Sequence, residues 1–169
     1  NCQVCRKLLN FYNLIIGTIR KGKLLMKVNK LVLTFSSLPE NITISRMLVS
    51  ALGSQLDLPI NELEELKVAV SEAVSNSIIH GYKNNPEAFV TLELEATPEK
   101  ITIQVIDTGC GIPDVKQAMQ ASYSTDPERM GLGFIFMQSF MDELRVESEV
   151  NRGTKVIMTK YLKNLQPSH

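Results

Sequence analysis

Three polar residues that could do chemistry recur at a spacing of four near the middle of the chain. Glu72, Asn76 and His80 fall within residues 66–82, and on a helix this spacing places all three on one face. An Asn side-chain oxygen can serve as a hard ligand for magnesium, and a carboxylate one turn earlier could take a proton from an attacking hydroxyl or water. An ordinary solvated face would show the same residue types, so the assignment depends on the rest of the chain.

Two glycine clusters lie further along the chain. Asp107-Thr-Gly-Cys-Gly111 ends an alternating stretch, and a carboxylate at a strand end could accept a hydrogen bond from an exocyclic amine. Gly131-Leu132-Gly133 immediately precedes an apolar stretch that reads as a helix, and the unpaired amides of a helix N-terminus favour phosphate. Either cluster alone is also typical of an ordinary turn, so only the combination indicates a site.

A helix must present Glu72 and Asn76, and the apolar residues around them predict one. They recur every three or four positions, which is the period of an amphipathic helix: Leu63, Leu66, Val70, Ala73, Val74 and Ile78. Asn61 is placed to cap this helix, and Gly81 is a natural stop. An earlier helix is predicted at 42–56, with these residues on its buried side: Ile44, Met47, Leu48, Ala51 and Leu52.

The remaining elements are mostly strands. Period-two patterns and β-rich runs predict strands at 31–35, 89–95, 101–106, 144–148 and 154–159. A helix is predicted from Gly133 through Phe140, after a connection at 112–130 that has no sustained period and is typical of a functional lid. Because helices and strands come in blocks, we expect an α+β two-layer sandwich with the helices on one face of a mixed sheet.

Composition narrows the class of protein. A length of 169 residues with 44% hydrophobic content suits one folded domain, and no run of 18 apolar residues predicts a membrane span. We therefore expect no membrane partner, and a net charge of zero gives no case for direct nucleic-acid binding. The lone Cys2-x-x-Cys5 falls short of the four ligands of a zinc site, which favours reduced thiols in the cytoplasm.

The first 25 residues differ in character from the remainder of the chain. Seven cations precede the first acid, and the residues from that acid onward include 11 basic and 18 acidic ones. The apolar stretch 11–19 could belong to a signal peptide, although no small-x-small cleavage site comes after it, or to a membrane-surface helix. We favour a third interpretation, in which 1–25 is an extraneous or disordered leader, because Met26 reads well as a start. The domain would span 26–163, with a polar tail at 164–169.

Four ordered motifs together resemble the GHKL superfamily of ATPases and kinases, whose nucleotide-binding domain has the Bergerat fold. The motifs are Glu72-x-x-x-Asn76, Asp107-x-Gly-x-Gly111, Gly131-x-Gly133 and Gly153-Thr154. The sequences at 72–82, 140–144 and 158–162 narrow the resemblance to the anti-sigma F family of spore-forming bacteria, which are serine-protein kinases. The resemblance covers about residues 30–162.

The resemblance implies roles at the base and at the reacting phosphate. Glu72 would be the general base, Asn76 would bind Mg²⁺, and Asp107 would accept a hydrogen bond from the adenine amine of ATP. Three further residues would lie beside the base: Gly109, Gly111 and Thr154.

The same resemblance implies contacts to the phosphates of ATP. Gly131, Leu132 and Gly133 would surround these phosphates, and Arg129 would reach the terminal one. The segment between Pro127 and Gly131 is shorter than the resemblance leads us to expect.

Activity and partners are also implied by the resemblance. It implies ATP-dependent phosphorylation of a serine on an anti-anti-sigma protein, inhibition of a sporulation sigma factor of the sigma F type, and a homodimer formed through the first helix and early strand. Arg46, expected to face outward on the first helix, would contact both protein partners. Two alternatives stay open: a nucleotide-gated sigma-factor-binding module without kinase activity, and an anti-sigma kinase of the general stress-response type.

Overall fold

A computed structural model describes residues 28–56, 58–120 and 132–162. The predicted leader at 1–25 and the tail at 164–169 lie outside the described residues, and so do two predicted phosphate contacts, Arg129 and Gly131. The predicted lid is described as far as residue 120.

One five-stranded sheet, in the order β1-β2-β3-β5-β4, forms the frame of the described region. Its strands are β1 (Asn29–Ser36), β2 (Phe89–Ala96), β3 (Lys100–Asp107), β4 (Glu143–Glu149) and β5 (Gly153–Tyr161). All five predicted strands are present. The expectation of a mixed sheet is wrong: β3 and β4 run in the same direction, but β5 folds back between them, so every neighbouring pair is antiparallel.

The helices cover one face of this sheet. They are α1 (Asn41–Ser54), α2 (Ile60–Asn76), the short α3 (Val115–Ala118) and α4 (Gly133–Phe140), and a π-helical turn, Ser77–Gly81, continues α2. Alternate residues of β2 and β3 are buried, as the period-two pattern predicts. The predicted apolar stripe of α2 is buried against them from Leu66 to Ile78. The α+β two-layer architecture is therefore confirmed.

The buried side predicted for α1 is largely wrong. Ile44, Met47 and Ala51 are exposed, Leu48 is half-buried, and only Leu52 of the predicted set is fully buried. The face turned to the core instead consists of Ser45, Val49, Leu52 and Gly53.

Small residues explain this rotation of α1. A Cβ added at Gly53 would lie 2.5 Å from Cδ1 of Leu63 on α2, so Gly53 allows the two helices to approach closely. The Ser45 hydroxyl donates to the Ile42 carbonyl within its own helix, which satisfies it in the core. A count of hydrophobic residues cannot detect either arrangement.

Two local details of the helices also differ from expectation. Asn61 does not cap α2, because the helix begins at Ile60 after Pro59 and has no side-chain cap. The described part of the predicted lid contains the unpredicted helix α3, whose N-cap Asp114 accepts a hydrogen bond from the Gln117 amide. No helix of the described residues is long and apolar enough to cross a membrane.

Candidate functional site

A cavity of about 760 Å³ lies between α2, α4 and the turns at the ends of β3 and β4. Most of the described residues predicted to bind a ligand line it: Glu72, Asn76, Asp107, Gly111, Leu132, Gly133 and Thr154. His80 lines it as well. Residues from four separate parts of the sequence are thus brought to one cleft.

Asp107 lies at one end of the cavity, at the last position of β3, and is 5% exposed. Its Oδ1 accepts hydrogen bonds from the Gly109 amide at 3.0 Å and the Thr154 amide at 3.2 Å. Its Oδ2 accepts one from the Ser77 hydroxyl at 2.9 Å. Burial raises the pKa of the Asp107 carboxyl above its ordinary value, while these three hydrogen bonds act in the opposite direction. We call Asp107, Ser77, Gly109 and Thr154 the base end, after the role predicted for Asp107.

Gly109 is absent from the cavity wall and acts beneath it. A Cβ at Gly109 would lie 2.2 Å from the Gly81 carbonyl oxygen, so only glycine allows the turn after β3 to rest on the end of the π-helical turn. The Cys110 amide donates to the same carbonyl at 2.9 Å. Gly109 therefore supports Asp107 through its amide and through this close approach.

Gly111 fixes the other side of the same turn. It has a φ of +70°, and a Cβ there would lie 2.1 Å from the Glu149 carbonyl oxygen. The Ile112 amide donates to the Ser148 hydroxyl at 2.8 Å. The turn after β3 is thus attached to the β4–β5 hairpin, which carries Thr154 as the second residue of β5.

The π-helical turn after Asn76 was not predicted. π-Helical segments are rare and occur frequently at functional sites, and here the turn places Ser77 on Asp107 and Gly81 under Gly109. Sequence reasoning also missed Ser77 itself. The available signal was a hydroxyl directly after Asn76 and directly before the apolar pair Ile78 and Ile79.

Glu72 and Asn76 meet the N-terminus of α4 at the opposite end of the cavity. A Cβ added at Gly133, the first residue of α4, would lie 3.0 Å from Glu72 Oε2 and 3.3 Å from Asn76 Nδ2. The unpaired amides of a helix start attract phosphate. Neither side chain hydrogen-bonds to a residue that the structure describes. We call Glu72, Asn76, Leu132 and Gly133 the phosphate end, after the role predicted for Leu132 and Gly133.

Arg46 is exposed on α1 and does not line the cavity. Two exposed apolar side chains, Ile44 and Met47, flank it in sequence, with 45% and 63% of their surface accessible. The outward orientation expected for Arg46 is confirmed, although the neighbours expected to point inward share its exposure.

Comparisons with known proteins agree with this architecture. The family model described as "Histidine kinase-like ATPase domain" matches residues 35–160. An anti-sigma F factor from Clostridium novyi (strain NT) is 48% identical over 143 residues, covering 83% of this chain and all of the relative (100%). An anti-sigma F factor from Clostridium beijerinckii (strain ATCC 51743 / NCIMB 8052) is 46% identical over 137 residues, covering 80% of this chain and 96% of the relative.

A solved structure, that of the RsbU and RsbW domains of Rv1364c from Mycobacterium tuberculosis, has a similar fold. The TM-score is 0.57 at 16% sequence identity, over 78% of this chain and 31% of that one. At this identity the likeness shows the fold alone.

Proposed function

Because the chain belongs to the anti-sigma F factors, within the histidine kinase-like ATPases, we propose that it inhibits a sporulation sigma factor and phosphorylates its antagonist. The sigma factor would be of the sigma F type, and the antagonist an anti-anti-sigma protein that accepts phosphate from Mg-ATP on a serine. An anti-sigma factor with an ATP-binding domain is the part that the relatives support directly.

The observation that carries the kinase proposal is the convergence at the phosphate end. Glu72 Oε2 and the Asn76 amide group both lie close to Gly133 at the start of α4. Catalysis of phosphoryl transfer rests mainly on positioning and charge stabilisation. A carboxylate, an amide oxygen and a helix N-terminus facing one volume supply a base, a metal ligand and phosphate donors.

In the proposed reaction, Glu72 accepts the proton of the substrate serine hydroxyl. The serine oxygen forms a bond to the terminal phosphorus of ATP, the bond between that phosphorus and the bridging oxygen breaks, and ADP leaves. Leu132 and Gly133 would offer backbone amides to the phosphates. Gly131 and Arg129, outside the described residues, are proposed as further phosphate contacts.

The residues present fit a magnesium ion that arrives with the nucleotide. Among the described ranges, no group of three or more His, Cys, Asp or Glu could hold a metal alone. Mg²⁺ usually keeps several waters and takes one or two protein ligands together with substrate phosphates, and Asn76 Oδ1 can supply such a ligand. When bound, the ion would neutralise phosphate charge.

At the base end, Asp107 is proposed to accept the adenine amine. Gly109 and Thr154 support it by donating their amides to Oδ1. Gly111 and Thr154 line the cavity beside it, where they would flank the base.

The partner surface is proposed on α1, away from the cavity. Arg46 would contact both the sigma factor and the anti-anti-sigma protein, so that the two compete. Ile44 and Met47 beside it would form a homodimer contact together with the edge of β1 that no described strand pairs, since exposed apolar side chains on one face favour association. Action on a sigma factor would take place in the cytoplasm.

The test is a transfer assay with [γ-³²P]ATP, Mg²⁺, the purified chain and a candidate anti-anti-sigma protein. We expect label on a serine of the anti-anti-sigma protein. ATP binding and sigma-factor binding without any transfer would favour the alternative, a nucleotide-gated binding module that does not phosphorylate.

A further inference from the structure

The Asp107 carboxylate has most of its acceptor positions filled within the protein. A carboxylate offers about four lone-pair positions. Oδ1 accepts the amides of Gly109 and Thr154, and Oδ2 accepts the Ser77 hydroxyl. One position therefore remains, and it lies on Oδ2, the oxygen that Ser77 contacts.

Ser77 has already used its only proton. The residue is 3% exposed and lines the cavity beside Asp107. Because its hydroxyl donates to Oδ2 over 2.9 Å, the Ser77 oxygen can offer a ligand only lone pairs. Asp107 and Ser77 together present acceptors and no donor.

We infer that Ser77 is a positioning residue for base recognition: by donating to Oδ2 of Asp107 it orients the carboxylate as an acceptor and selects 6-amino purines over 6-oxo purines. This inference rests on the proposed binding of ATP at this site. A 6-amino group brings two N–H donors to the two acceptors, whereas a 6-oxo group brings another acceptor and leaves unpaired buried groups.

The Ser77 hydroxyl also stabilises the charged form of Asp107. Without it, the carboxyl would keep the burial that raises its pKa and lose one hydrogen bond that lowers it. A carboxyl that holds a proton more readily can donate that proton to a 6-oxo group. Loss of the hydroxyl should therefore weaken ATP binding and relax the selectivity together.

The experiment compares Ser77→Ala with wild type by isothermal titration calorimetry, using Mg²⁺ with ATP, with ITP (6-oxo), or with purine riboside triphosphate, which lacks an exocyclic group. Ser71→Ala is the matched control, since the Ser71 hydroxyl donates to the Lys67 carbonyl of the same helix and does not line the cavity. We expect Ser77→Ala to bind ATP about tenfold more weakly. The ratio of ATP to ITP affinity should fall by a similar factor, and Ser71→Ala should match wild type.

A second readout is the pH dependence of ATP affinity. The loss of affinity on acidification should begin at a higher pH in Ser77→Ala than in wild type, because Asp107 would hold its proton more readily. Equal losses for all three nucleotides, or an unchanged ATP to ITP ratio, would overturn the inference and assign Ser77 a purely structural role. Thermal unfolding checks that each variant is folded. If Ser77→Ala does not fold, the ratio of ATP to ITP affinity is measured for Ser77→Cys, whose side chain is similar in size but is a weak hydrogen-bond donor. A folded wild type that binds none of the three nucleotides would instead refute the proposed site.

Discussion

The two ends of the cavity differ in how much of their hydrogen bonding is complete within the protein. At the base end, Asp107 is 5% exposed and accepts three hydrogen bonds. At the phosphate end, Glu72 and Asn76 are half-buried, and their side chains hydrogen-bond to no described residue. The Asp107 carboxylate is therefore held in place by the protein, whereas the side chains of Glu72 and Asn76 have no hydrogen-bond partner among the described residues.

This difference suits the proposed function, in which one end of the cavity binds the base of ATP and the other binds its phosphates. A group that is already oriented selects its partner without reorganising. Side chains without a hydrogen-bond partner among the described residues, such as Glu72 and Asn76, could adjust to the charges that change during phosphoryl transfer. Substitutions at the base end should therefore change affinity, and those at the phosphate end should change rate.

The largest expected effect is that of Glu72→Gln at the phosphate end. Loss of a general base should slow phosphorylation of the anti-anti-sigma protein by about 10²- to 10⁴-fold, with ATP affinity and thermal unfolding unchanged. Glu64→Gln is the control, since Glu64 on the same helix pairs with Lys67 at the surface. Single-turnover transfer assays and calorimetry measure the two quantities. A normal rate for Glu72→Gln would remove this residue from the mechanism.

At the base end, Asp107→Asn should lower ATP affinity and leave the fold intact. The Asn oxygen can accept from Gly109 and Thr154, and its amide can donate to Ser77, but the amide then faces the adenine amine. Such a mismatch costs roughly 1–3 kcal/mol, or about ten- to a hundredfold in affinity by calorimetry.

The same variant should be at least as heat-stable as wild type without nucleotide. Because the pKa of Asp107 is raised in the folded protein, its ionisation lowers stability as the pH rises from the ordinary carboxyl pKa through the raised one, and Asn cannot ionise. A folded Asp107→Asn protein that binds ATP as tightly as wild type would break the assignment of this end to the base.

A substitution away from both ends should leave the cavity unaffected. Arg46→Ala should weaken binding of the sigma factor and of the anti-anti-sigma protein by about 2 kcal/mol each, or roughly thirtyfold, with unchanged ATP affinity. The control is Arg145→Ala, because Arg145 is also an exposed cation but lies on β4. The affinity for each partner is measured by surface plasmon resonance. If Arg46→Ala binds both partners as tightly as wild type, Arg46 is an ordinary surface cation.

The smallest expected effect is a dependence on pH that belongs to the base end alone. Adenine needs an ionised acceptor, so ATP affinity should be constant above the raised pKa of Asp107 and fall by up to tenfold per pH unit below it. Titration of ATP itself is common to all variants, so the difference between wild type and Asp107→Asn isolates this residue. Parallel pH profiles for the two proteins would contradict the assignment.

The sequence predicted those parts of the molecule in which hydrophobicity determines burial. The α2 stripe and the alternation in β2 and β3 are buried as expected, and these elements bring Glu72, Asn76 and Asp107 to one cavity. The face of α1 was wrong because Gly53 and Ser45 pack where larger apolar residues were expected.

Contacts between residues that are distant in sequence could not be predicted from local sequence patterns. Ser77 and Asp107 are 30 positions apart, and their hydrogen bond exists only because the helix widens after Asn76 and the sheet ends opposite it. The return of β5 between β3 and β4 likewise results from tertiary packing. The role of Gly109 beneath the cavity became visible only through its contact with Gly81.

The order of the strands also limits how far the sheet can grow. β4 forms one outer edge, and every second residue along it is exposed and charged: Glu143, Arg145, Glu147 and Glu149. Charged edge strands discourage another strand from adding to them. The opposite edge, β1, exposes Val32 and Thr34, and its lysine, Lys30, is already paired with Glu95. Among the described strands, β1 is therefore the edge to which a further strand could add. A symmetric contact between two copies through β1 would leave only the charged β4 edges at the outside of the joined sheet.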